Sequence, residues 1–338
     1  MKILYDPDPR TTDDIFSESD HERFFSENEV EVYNGGDRDT FYEKHLPNSE
    51  ILISQQPMDQ ARLHRAPNLR AIFNVETNFL PNIDYKTCFS RGIYVLAPSS
   101  VFAKPVAEMG LGMALSLARD IHSAHNDFLK GCEKYGLSGN KEAELLSNSD
   151  IGFIGFGDLG RALFQLLAGF NSKVKVYDPW LPDDYLKRTG VIPASLDEVL
   201  SGSRVVFVVA AITTENHHLL DKSKLNLMQS GAMLILLSRA AVVDFLALRE
   251  FASQGKIRIA TDVFYEEPVA KDDPIRSTPN ILFSSHRAGA LIQARLAIGS
   301  LVLEDLGQIS RGLPPISCKR AELETVERMR SKPIEKPS

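Results

Sequence analysis

The chain is poor in cysteine. Cys88, Cys132 and Cys318 are the three among 338 residues, and no CxxC spacing occurs. An odd, scattered set offers neither a disulfide frame nor a zinc site, and it suits reduced thiols in a cytoplasmic protein. Positive charge is also short: 38 Lys and Arg stand against 45 Asp and Glu, a formal net charge of −7. Nucleic acid and anionic membranes would be repelled at long range, and no basic stripe offsets this. Long apolar runs are missing as well. The segment Met1 to Arg10 turns polar after five residues, so no signal peptide is expected. The internal apolar runs are short and carry polar residues, so no bilayer span is expected. The histidine pairs His122/His125 and His217/His218 lack an HExxH or carboxylate frame, so no metal site is expected.

What is present is a glycine-rich segment, DIGFIGFGDLGR from Asp150 to Arg161, followed by an acid, Asp178, eighteen residues after its last glycine. It reads as a strand, a tight turn, a helix and a second strand ending in a carboxylate. Gly155 permits the turn, Gly157 lets backbone approach a pyrophosphate, and Gly160 lets helix and strand pack. Asp178 can then accept hydrogen bonds from the adenosine ribose. A lone GxGxxG is weak, but its place between strand and helix with a distal acid makes it a dinucleotide-binding pattern.

This unit lies mid-chain, so roughly 150 residues precede it and need a domain of their own. Within them Lys2–Tyr5, Val30–Tyr33, Ile51–Ile53, Ala71–Phe73 and Ile93–Leu96 are short apolar runs bounded by turn residues, which predicts a small parallel α/β sheet. Lys104 to His122 is apolar nearly all round and predicts one buried helix. Further strands are expected at Val174–Tyr177, Val205–Val209, Met233–Leu237, Arg258–Val263 and Ile281–Ser284, with an amphipathic helix from Asp244 to Gln254 stopped by Gly255. The last residues, 331–338, are charged and proline-bearing and are expected to be disordered.

Three signals follow these later strands: LSRAAVVD ending at Asp244, TDVFYEEP ending at Pro268, and SSHRAG ending at Gly289. Ligands of open α/β sheets sit beyond the carboxyl ends of the strands, so Arg239, Asp262, Glu267 and His286 are expected to converge. An imidazolium can protonate a carbonyl as hydride arrives, a carboxylate can hold the imidazole, and a guanidinium can grip an anionic substrate.

With the Val106-Ala-Glu108 helix start, these motifs make the chain resemble the D-isomer-specific 2-hydroxyacid dehydrogenase family, of the glycerate or phosphoglycerate dehydrogenase kind. The resemblance implies an α/β fold of two Rossmann-like domains. A doubly wound NAD-binding domain, 104–299, would be inserted into a smaller flavodoxin-like substrate domain, 1–103 plus 300–338. It implies His286 as general acid/base, Glu267 as its partner in a Glu-Pro dipeptide, and Arg239 on the substrate carboxylate. It assigns cofactor contacts to Gly155, Gly157, Asp158, Leu159, Gly160, Asp178, Ser238, Asp262 and His286, with Asp262 on the nicotinamide carboxamide. NAD is expected over NADP because Asp178 is followed by Pro179 and Trp180 rather than a cation. The resemblance implies a homodimer, with the apolar face of the helix Lys104–His122 as a candidate contact with the second subunit.

The chain departs from the family where a glycine-containing loop usually holds the substrate carboxylate, since here Phe73 to Leu80 reads FNVETNFL. Backbone amides of Val75 to Asn78 can still serve, and Glu76, Thr77 and Asn78 are candidate selectors of a hydroxylated or cationic substrate side chain. The small-molecule substrate expected is a D-2-hydroxy acid and its 2-keto acid. Two alternatives are a dehydrogenase of a non-carboxylate anion such as phosphite, and a non-catalytic NAD-sensing corepressor-like protein.

Overall fold

A computed structural model of the chain describes residues 1–75 and 78–330 and consists of two compact units. The first is formed by Met1–Val101 with the chain from Leu291 onward, and the second by Phe102–Ala290.

The first unit is built on β1 (Lys2–Asp6), β2 (Glu29–Val32), β3 (Ile51–Ser54), β4 (Ala71–Phe73) and β5 (Tyr94–Ala97), all mutually parallel in the order 2-1-3-4-5. Their apolar residues are buried because helices cover both faces, as parallel strands require. The order is the flavodoxin-like one, with its reversal between β1 and β3.

The second unit holds β6 (Asp150–Ile154), β7 (Lys173–Tyr177), β8 (Ile192–Pro193), β9 (Val205–Val208), β10 (Met233–Leu236), β11 (Arg258–Thr261) and β12 (Ile281–Phe283). They form one parallel sheet in the order 12-11-10-9-6-7-8, a doubly wound arrangement that reverses between β6 and β9. Every side chain of β9 and β10 is buried, each worth about 1.5–3 kcal/mol for a large aliphatic or aromatic group. The amphipathic helix falls at Phe245–Ser253, with the Asp244 side chain capping Leu246 and Ala247 and Gly255 in the left-handed region just beyond.

The last part of the chain returns to the first unit. The first unit resumes at Leu291, nine residues before the expected 300, because the long helix Ile292–Ser310 packs against Thr12–Ile15 and Glu18–Glu27. Gly299 makes this possible, as a Cβ there would lie 2.4 Å from the Phe16 ring and 2.7 Å from the Ile15 carbonyl. Buried Asp305 then accepts the N–H groups of Ile316, Ser317 and Cys318, and β13 (Lys319–Arg320) adds to the sheet antiparallel to β5. The segment 331–338, expected to be disordered, lies outside the described residues.

Two expectations change. The apolar stretch read as a single helix from Lys104 to His122 is a helix at Ala103–Ala118 and a second at Ile121–Lys130, separated at Asp120, whose φ of 53° leaves the right-handed helical region. Apolar runs are also longer than the sequence suggested: Ser99–Ala118 has the length and apolarity of a membrane span, with 20 residues and mean hydropathy 1.3. Here it is a core helix, packed on β10, β11 and the helix Asp158–Leu166, with Gly110 set so close that a Cβ would meet Leu237 at 2.5 Å.

Its continuation behaves in the opposite way. Ile121–Lys130 buries none of its residues, and Phe128, Leu129, Tyr135 and Leu137 are 63% to 87% exposed. The returning segment of this arm is anchored at Glu144, which pairs with both Arg204 and Arg258.

Candidate active site

The glycine-rich turn joins β6 to the helix Asp158–Leu166. Gly155 has φ +88°, and a Cβ on it would lie 2.6 Å from the Ala210 backbone, so the fold itself demands glycine. Gly160 is nearly as tight, at 3.0 Å from the Gly155 carbonyl. Gly157 differs: a Cβ there would meet nothing within 4 Å. Protein packing does not require a glycine at that point, whereas close approach of a ligand to the backbone does.

Asp178, at the end of β7, accepts the Phe156 N–H on Oδ2 at 2.7 Å and the Trp180 N–H on Oδ1 at 2.9 Å. It therefore ties the turn to the neighbouring strand, a role beyond the expected ribose contact. Each carboxylate oxygen accepts two hydrogen bonds, so both keep capacity for a ribose hydroxyl. Asp158 and Leu159 open the helix, where the first N–H groups have no intrahelical partner and the dipole favours an anion. Ser238, after β10, is buried, and its Oγ has no hydrogen-bond partner among the described residues. An orphaned buried hydroxyl, an open space at Gly157 and donors at a helix N-terminus fit a dinucleotide, which the residues from Gly155 to Gly160 with Asp178 and Ser238 would hold.

The next three strands bring the chemical groups together. Register pairs Leu236 with Thr261 and Thr261 with Phe283, so the chain leaves β10, β11 and β12 at one level. Arg239, Asp262 and His286 follow at that edge. Glu267 comes from the loop after β11, with Oε2 2.5 Å from His286 Nδ1 and Oε1 accepting the Phe264 N–H at 2.8 Å. Burial alone would push the Glu267 carboxyl up, but the hydrogen bonds from His286 and Phe264 and the charges of His286 and Arg239 hold it below the usual range. Burial likewise lowers the Arg239 guanidinium, against the charge of Glu267, from a value so high that it stays protonated. Its Nη1 donates to the Ser238 carbonyl at 2.7 Å, fixing the side chain over the turn.

Asp262 has a structural part beside its expected nicotinamide contact. It is 1% exposed, and its two oxygens accept the N–H groups of Arg287 and Ala288 at 2.9 and 3.0 Å while its carbonyl accepts the His286 N–H at 2.7 Å. The carboxylate is thus a clamp on the loop that carries His286, whose backbone sits at φ 53°. Sequence reasoning had no signal for this, since an acid after a strand reads the same whichever way it points.

Among the remaining substrate candidates Val75 is buried and Asn78 half-buried, in the first unit. Glu76 and Thr77 lie outside the described residues. The residue that sequence reasoning passed over is Arg161, whose guanidinium bends back to the Phe156 carbonyl and the Asp158 carboxylate.

Comparison with known proteins shows what the chain is similar to. The family model described as D-isomer specific 2-hydroxyacid dehydrogenase, NAD binding domain, matches residues 111–288. A glyoxylate reductase of Thermofilum pendens is 31% identical over 296 residues, covering 85% of this chain and 84% of the relative. A D-3-phosphoglycerate dehydrogenase of Methanocaldococcus jannaschii is 27% identical over 84% of this chain, which spans 54% of that longer protein. A crystal structure of a phosphoglycerate oxidoreductase from Rhizobium etli superposes with a TM-score of 0.88 at 45% identity, covering 95% of this chain and 98% of that one.

Proposed function

The chain belongs to the D-isomer specific 2-hydroxyacid dehydrogenase family, an NAD-dependent oxidoreductase family acting on CH–OH groups, and from that premise we propose how its own residues carry the reaction. The substrate is a D-2-hydroxy acid, interconverted with its 2-keto acid. NAD, held by the turn from Gly155 to Gly160 with Asp178 and Ser238, would supply the hydride exchange at C2.

His286 is the general acid/base. In oxidation its Nε2 takes the hydroxyl proton, and in reduction the imidazolium returns a proton to the carbonyl oxygen. Glu267 on Nδ1 fixes the tautomer and balances the charge that the ring acquires. Arg239 grips the substrate carboxylate with its planar fork and polarises the adjacent carbonyl. The segment 1–103 with 300–338 is the substrate-binding domain of this reading. Asp178, followed by Pro179 and Trp180, disfavours the 2′-phosphate of NADP by like charge.

The observation that carries this reading is the His286–Glu267 pair at the same sheet edge as Arg239. The test is a panel of 2-keto acids with NADH and NADPH in parallel, on the wild type and His286→Ala. Turnover of at least one keto acid with NADH, lost by about 10²-fold or more in the variant with NADH binding kept, is expected. Substantial residual turnover in His286→Ala would remove the histidine from the chemistry.

The exposed arm supports a homodimer. At roughly 200 Å² per large side chain, Ile121, Phe128, Leu129, Tyr135, Leu137 and Leu145 together present on the order of 800 Å², about one partner's share of a stable interface. A second copy of the chain is the occupant we assign to it, in place of the face of the Ala103–Ala118 helix, which is buried within its own unit.

A further inference from the structure

The glycine-rich turn carries an acid where a pyrophosphate would bring more negative charge. Asp158 is the first residue of the helix Asp158–Leu166, and a carboxylate accepts hydrogen bonds but donates none. Its side chain cannot bond a phosphate oxygen, so any contact it makes to the cofactor is through its N–H. The charge is answered by Arg161, whose Nη2 lies 2.5 Å from Asp158 Oδ1 and whose Nη1 donates to the Phe156 carbonyl at 3.3 Å.

An arginine in the first turn of a helix is opposed by the helix dipole, so its place there has to come from local partners. Those partners hold it over the turn. The guanidinium has five N–H donors in a plane and spends two on these contacts, which leaves a donor set suited to phosphate oxygens. The open space at Gly157 lies in the same turn. Burial does not lock the pair, since the two side chains are 39% and 30% exposed.

We propose that Arg161 binds the pyrophosphate of NAD and that Asp158 is its holder, keeping the guanidinium on the turn in the free protein and giving it up when the phosphates arrive. The inference rests on NAD as the cofactor. It explains how an acidic fingerprint can bind an anion, with the carboxylate standing where a phosphate oxygen will compete for the same donors.

The test is a direct titration of NADH by its fluorescence, without substrate, on the wild type, Arg161→Gln and Asp158→Asn. Arg161→Gln is expected to raise Kd about tenfold, the scale of one charge-assisted hydrogen bond, and the difference from wild type should shrink in 0.5 M salt. Asp158→Asn, with Arg161 released, should bind as tightly as wild type or tighter. Both side chains are partly exposed, so thermal melts should show folded variants, and Asp158→Asn gives an arm that does not depend on losing the arginine. A Kd for Arg161→Gln within threefold of wild type, or weakening in Asp158→Asn as large as in Arg161→Gln, overturns the assignment. Failure of the unaltered protein to bind NADH overturns the cofactor reading instead.

Discussion

Glu267 Oε2 sits 2.5 Å from Nδ1 of His286, which leaves Nε2 as the ring nitrogen free of that carboxylate. Replacing the acid by its amide keeps the shape and removes the charge. Glu267→Gln is expected to lower kcat/KM by about 10²-fold or more, with Kd for NADH little changed. Steady-state kinetics within threefold of wild type would show that the pair is not part of the chemistry.

The same carboxyl has a signature in pH. It is held below the ordinary glutamate value of about 4.3, so its ion pair contributes fully above that pH and is lost only as pH falls through the lowered value. The pH profile of kcat/KM should show no limb from this carboxyl between about pH 4.3 and neutrality. A carboxylate-like limb inside that window, absent in Glu267→Gln, would contradict the depressed value.

Asp262 satisfies two backbone donors of the His286 loop from a buried position. Asp262→Ala leaves both unpaired, at about 1–3 kcal/mol for each. Chemical denaturation should show a loss of about 2 kcal/mol or more, together with a fall in kcat from the displaced histidine. Unchanged stability would mean that the loop finds other acceptors.

The two glycines of the turn should separate folding from binding. Gly155→Ala puts a Cβ against the Ala210 backbone and is expected to lower Tm clearly. Gly157→Ala puts one into open space, so Tm should hold while NADH binding weakens. If Gly157→Ala binds NADH as well as wild type, that space is not where the cofactor comes close.

The apolar arm gives a prediction in solution. Light scattering on the wild type at micromolar concentration is expected to report a dimer, and Phe128→Asp with Leu137→Asp a folded monomer. Both substitutions are on side chains more than 60% exposed, so neither opens a cavity. A wild-type monomer would remove the second copy from this face.

Much of this was legible in the sequence wherever a residue's chemistry and its neighbours had one use. Gly155 announced the turn, though not that Asp178 would tether it, and the apolar runs before Arg239, Asp262 and His286 put them at one sheet edge. The two-residue strands at Ile192–Pro193 and Lys319–Arg320 left no trace, because two residues carry no period. The break at Asp120 was hidden for a different reason: apolar residues on both sides keep helical spacing, and only the backbone angle records the change. The clamp made by Asp262 and the contacts of Arg161 were missed since direction, not identity, decides what each one touches.

The placement of Asp305 bears on the order in which the protein is made. During synthesis, all of Phe102–Ala290 leaves the ribosome before the helix that carries Asp305 exists, so the second unit has every strand at hand while the first still lacks its closing helix and the edge strand β13. The amino-terminal strands must therefore wait, unsealed, for about two hundred further residues of translation, an order opposite to the one in which their codons are read. A fusion or truncation that removes Cys318 to Arg320 would harm the part of the molecule made first, not the part made last.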